Sequence, residues 1–157
     1  GNFMASPLQL ATALSSVANG GTLYKPYLVK EVVDENGKTV RTVDSQKVRS
    51  DFIKPEYLSM VQKGMRDVIT SGTGCCSTNR EVPVAVAGKT GTAETSSEGF
   101  DGKNRRTKPH AWFEAYAPYE NPEIVIVALV ENSGEGAEFA LPVVRDSLKW
   151  YFTEGKK

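Results

Sequence analysis

The sequence predicts an α+β fold: an antiparallel sheet of three main strands with flanking helices plus a small hairpin. Three observations carry that prediction. Two segments with helix-start chemistry and an apolar stripe open at Ser6 and Pro55. Apolar runs at 84–93, 111–117 and 124–130 have strand length, and the short turn Tyr119-Glu120-Asn121-Pro122 joins the last two, so these pair antiparallel. A further striped segment closes the chain. Helix, hairpin, helix, three strands and helix, in that order, is a layered α+β arrangement.

Each element has its own signal. In the first helix, over 6–19, Ser6 caps, Pro7 suits the first helical position and Gln9 completes a capping box. Leu10, Leu14 and Val17 share a face, and Asn19-Gly20-Gly21 stops the helix. The hairpin, over 27–43, has Tyr27 to Val33 and Thr39 to Val43 as strands and Glu35-Asn36-Gly37-Lys38 as its turn. A polar stretch runs to Lys54. The second helix, 55–71, buries Leu58, Val61, Met65 and Val68 and stops at Ser71-Gly72. The last helix, 141–152, aligns Leu141, Val144, Leu148 and Tyr151 or Phe152, with Pro142 in its first turn. Between the first two main strands, Thr95 to Pro109 is a long polar and basic loop.

The 157 residues suit one domain with one core. Hydrophobic residues are 39% and charged residues 24%, as in an ordinary globular domain. Nineteen basic and nineteen acidic side chains cancel, which removes the electrostatic footprint of a nucleic-acid or anionic-membrane binder. No apolar stretch approaches the roughly 20 residues that span a bilayer. The opening Gly1-Asn2-Phe3-Met4 has no basic lead and no continuous apolar core, so it is not a signal peptide. It reads as the start of a piece of a longer protein, with any export signal or anchor elsewhere. Adjacent Cys75 and Cys76 are poorly placed to bridge each other, and with a single distant histidine, His110, they make no metal site. They read as small side chains in a Gly-rich turn.

The chemistry concentrates at Lys89-Thr90-Gly91-Thr92, the end of the first main strand. Acyl transfer by a serine needs a nucleophile, a base, an anchor for a substrate carboxylate and an oxyanion hole. This tetrad can supply the last two. Lys89 gives fixed positive charge; the Thr90 and Thr92 hydroxyls share one strand face; Gly91 lets another backbone come close; and the Thr92 N–H can face a developing oxyanion. An extended peptide can also pair along such an edge. No Ser stands three residues before a Lys, so the chain holds no nucleophile of the Ser-x-x-Lys kind. Two decoys fall away. Gly88-Lys89-Thr90 is not a phosphate-binding loop, because Pro83 stands where that motif needs glycine. Ser77-Thr78-Asn79 fits a Ser-x-Asn signature, but it lies ten residues before Lys89 in a turn-like segment. His110 has no acid–base partners at useful spacing and reads as a packed or surface residue; Trp112 and Phe113 read as core.

The chain resembles the C-terminal part of the transpeptidase domain of a class B penicillin-binding protein, of the elongation type and penicillin-binding protein 2-like. The resemblance runs through Ser6-Pro7-Leu8-Gln9-Leu10-Ala11, Asn19-Gly20-Gly21 with Lys25-Pro26-Tyr27-Leu28, Lys89 to Glu94, His110 to Phe113 with Tyr116-Ala117-Pro118, and Val130-Glu131-Asn132. It departs at Glu114-Ala115, where relatives tend to carry a small or apolar residue and then glycine.

The resemblance implies the serine β-lactamase/penicillin-binding transpeptidase fold across 1–157. It implies a peptidoglycan D,D-transpeptidase, the target of β-lactams, working without cofactor or metal in an extracytoplasmic place, periplasmic or at the outer face of the cytoplasmic membrane, and anchored through an N-terminal segment that this chain lacks. By position, Lys89 is the third-motif lysine, Thr90, Gly91 and Thr92 bind substrate, and the Thr92 N–H is half of the oxyanion hole. The partners it implies are the peptidoglycan stem peptide, β-lactams and cell-wall elongation proteins. This chain alone is expected to be inactive. The sheet face that the rest of the domain covers is expected to favour self-association. The alternatives are a non-catalytic peptide- or partner-binding module, and a piece of a β-lactamase-like serine hydrolase.

Overall fold

The computed structural model describes residues 4–75, 77–94 and 108–155. Cys76 and positions 95–107 of the long loop lie outside the described residues. Helix α1, Pro7–Ala18, opens on the capping box: Gln9 N–H donates to Ser6 Oγ at 3.3 Å, and Ser6 N–H donates to Gln9 Oε1 at 2.8 Å. Strand β1, Leu23–Tyr24, follows, then β2, Glu31–Val33, β3, Thr39–Thr42, and β4, Lys47–Arg49. Strands β2 and β3 form the hairpin, and Asp34 Oδ1 accepts from the N–H groups of Asn36 and Lys38 in its turn. The hairpin strand predicted from Tyr27 begins only at Glu31. Within the polar stretch that runs to Lys54, to which the sequence assigns no element, β4 pairs with β1. Both are short, and β4 is exposed throughout, so neither carries an apolar alternation that a sequence could show.

Helix α2, Pro55–Thr70, buries Leu58, Met65 and Ile69. The predicted stripe is displaced: Val61 is 50% exposed and Ile69 takes its place. Helix α3, Ser77–Glu81, replaces the expected turn. The main sheet follows as β5, Ala87–Ala93, β6, His110–Ala117, and β7, Ile124–Val130, antiparallel in the order β5-β6-β7. Strand β5 starts three residues later than predicted because the preceding carbonyls are engaged elsewhere. Ala85 O accepts from Tyr119 N–H at 2.8 Å, and Val86 O accepts from Arg66 Nη1 at 2.7 Å.

Helix α4, Gly136–Thr153, starts five residues before its predicted position and carries Pro142 within the helix, beyond the first turn. Its start is set by packing: a Cβ on Gly136 would overlap the carbonyl oxygens of Trp112 and Gly91. Only glycine brings the helix that close to the sheet. One face of the sheet meets α4 through Phe113, Ala111, Ala115, Val144 and Leu148. The other meets α1 through Ala87, Tyr116, Leu14 and Ala18. Helix α2 sits at the β5 side and contributes Ile69 to the first cluster and Met65 to the second.

Candidate active site

Strand β5 is an edge strand: among the described residues it pairs only with β6. The register sets Lys89 opposite Glu114, Thr90 opposite Phe113, Gly91 opposite Trp112 and Thr92 opposite Ala111. Side chains alternate along a strand, so Thr90 and Thr92 share the α4 face, while Lys89 lies on the other with Glu114 and Trp112. All four residues of the tetrad line a cavity of about 900 Å³, with Trp112 and Leu129 as its apolar wall.

Within the site, Lys89 Nζ donates to Thr90 O at 2.8 Å. Glu114, its cross-strand neighbour, is half-buried. Burial pushes the Glu114 carboxyl above its usual value, and the Lys89 ammonium pulls it part of the way back. Thr90 Oγ1 meets Thr73 Oγ1 at 2.9 Å. Gly91 is crowded from both faces: its own Cβ would meet Trp112 Cβ at 3.1 Å, while Gly136 lies against its backbone. The positive end of an 18-residue helix thus sits beside the strand whose residues were read as an anion anchor.

The structure gives neither decoy a site of its own, and it sets His110 on the border of the same cavity as the tetrad. Gly88-Lys89-Thr90 lies within β5 and forms no phosphate cradle. Thr78 is buried in α3, and Asn79 Oδ1 accepts from Arg66 Nη2 at 3.2 Å. His110 begins β6 and its Nδ1 accepts the Asn132 N–H at 3.0 Å, which ties β6 to the turn after β7. Among the described residues no group of three or more His, Cys, Asp or Glu could hold a metal ion. Among them too, no helix is long and apolar enough to cross a membrane.

Three contributors escape a sequence reading: Thr73, Arg66 and Gly136. Each acts across a large sequence gap on a β5 residue or the residue just before it. The one available cue is the Gly72-Thr73-Gly74 triplet after α2, a polar residue between two glycines in a loop.

The chain matches the family described as penicillin binding protein transpeptidase domain over residues 1–149. It is 31% identical to the peptidoglycan D,D-transpeptidase MrdA of Haemophilus influenzae, over 98% of this chain and 25% of that protein. It spans between 18% and 30% of the first three curated relatives it matches. Among solved structures, the ceftriaxone acyl-enzyme complex of penicillin-binding protein A from M. tuberculosis aligns with a TM-score of 0.70. The identity is 29%, over 88% of this chain and 30% of that one. The complex of a penicillin-binding protein (PBP2) with MreC from Helicobacter pylori aligns with a TM-score of 0.71. The identity is 26%, over 99% of this chain and 26% of that one.

Proposed function

We propose, since this chain belongs to the penicillin-binding protein transpeptidase family, that it supplies the substrate-anchoring side of a peptidoglycan D,D-transpeptidase. The observation that carries this reading is the edge strand β5, whose Lys89-Thr90-Gly91-Thr92 lies on a sheet margin that is unpaired among the described residues. A stem peptide, or a β-lactam in its place, lies along that edge. Thr90 and Thr92 hold its terminal carboxylate, Lys89 adds positive field, and the Thr92 N–H donates to the oxyanion as the carbonyl becomes tetrahedral. A serine outside these 157 residues attacks that carbonyl, because the chain has no Ser-x-x-Lys. The peptide bond to the terminal D-Ala breaks and that residue leaves as the free amino acid while the acyl-serine ester forms. The amine of a second stem peptide then attacks the ester, the serine hydroxyl leaves, and the new amide closes the cross-link.

The relative solved with MreC supports a cell-wall elongation protein as partner. A peptidoglycan substrate places the work outside the cytoplasm. The decisive experiment is covalent labelling with a fluorescent penicillin. The whole protein takes the label and the 157-residue chain alone does not. Label on the chain alone, or none on the whole protein, overturns the reading.

A further inference from the structure

The loop after α2 reaches the anchor strand through Thr73, whose Oγ1 lies 2.9 Å from Thr90 Oγ1. That loop is well fixed. Gly72 N–H donates to Asp67 O at 2.9 Å, Gly74 N–H to Val68 O at 3.0 Å, and Cys75 N–H to Gly72 O at 3.1 Å. Helix α2 is itself tied to the residue preceding β5 through Arg66 and Val86 O. The backbone that carries Thr73 is therefore held in place from its own side, independently of Thr90.

A hydroxyl has one proton to give and two lone pairs to accept with, and a carboxylate only accepts. When a carboxylate is bound, the Thr90 proton must point at it. Thr90 can then meet Thr73 only as acceptor, so Thr73 is the donor. From these two residues we propose that Thr73 is a positioning residue, whose hydroxyl donates to Thr90 and so aims the Thr90 proton at the bound carboxylate. The relay also polarises Thr90, which strengthens its donation. Without Thr73, the Thr90 hydroxyl proton rotates about its C–O bond and donates elsewhere part of the time. This rests on the transpeptidase reading of Thr90 given above.

The test measures acylation rates of the whole protein by penicillin G and by its methyl ester, which has no free carboxylate. Thr73→Val should slow the free acid about tenfold, the size of one net hydrogen bond, and leave the ester rate unchanged. Thr73→Ser should restore the free-acid rate, and Thr73→Ala, which cannot over-pack the loop, should repeat the valine result. Equal slowing of both ligands assigns Thr73 a merely structural role and overturns the inference, as does a valine variant that matches the parent on both. A parent protein that neither ligand acylates overturns the transpeptidase reading and this inference together; a parent that is acylated, with Thr73 variants that do not discriminate, overturns this inference alone.

Discussion

Gly136, the first residue of α4, rests directly on the backbone of Gly91 in β5, 45 residues earlier in the chain. Gly136 lacks a side chain on the side that meets Gly91, while the open side of Gly91 faces Trp112. The pair sets how close a helix N-terminus comes to the anchor strand, so any side chain at 136 pushes helix and strand apart. Gly136→Ala should cost about 1–3 kcal/mol through overpacking, read as a lower urea midpoint with an unchanged slope. An unchanged midpoint would mean that helix and strand separate freely.

Glu114 gives the fold a pH dependence of known sign. Its folded pKa stands above the usual 4.5 because of burial, with Lys89 opposing the shift. Ionising it in place is therefore unfavourable. The stability it permits is complete at low pH and is lost as pH rises through the raised value. Glu114→Gln should exceed the parent in urea midpoint at pH 7, with the gap closing below pH 4.5. A gap that stays constant across that range contradicts the assignment.

Tyr116 acts at the alkaline end. It is wholly buried, its hydroxyl has no hydrogen-bond partner among the described residues, and burial pushes its pKa from 10.0 to about 12. Stability should fall as pH climbs from 10 toward 12, since the phenolate forms more readily in the unfolded chain. Tyr116→Phe should flatten that limb of a stability-against-pH curve without weakening the fold at pH 7. A parallel decline in both proteins above pH 10 rules Tyr116 out as its cause.

Arg66 joins α2 to the residue preceding β5 through a 2.7 Å bond to Val86 O. Hydrogen bonds to charged groups contribute roughly 1.5–3 kcal/mol. Arg66→Met keeps the aliphatic stem and should lose an amount of that order, with faster hydrogen exchange in the first residues of β5. Exchange confined to the end of α2 would show that the bond anchors the helix and not the strand.

How much of this was legible in the chain depended on the range of the interactions. The capping box at Ser6 and Gln9, the Asp34 turn and β7 follow from neighbours a few residues apart, and a sequence states those directly. The Lys89-Thr90-Gly91-Thr92 tetrad was equally visible, because alternation along one strand fixes which side chains share a face. Long-range packing decided what remained. The start of α4 is set by Gly91 and Trp112, the start of β5 by Tyr119 and Arg66, and the buried stripe of α2 by which rows of its surface meet the sheet edge. Local propensity reads Gly136 as loop, since glycine is costly in a helix. The close approach of two backbones outweighs that cost, and no residue near position 136 records it.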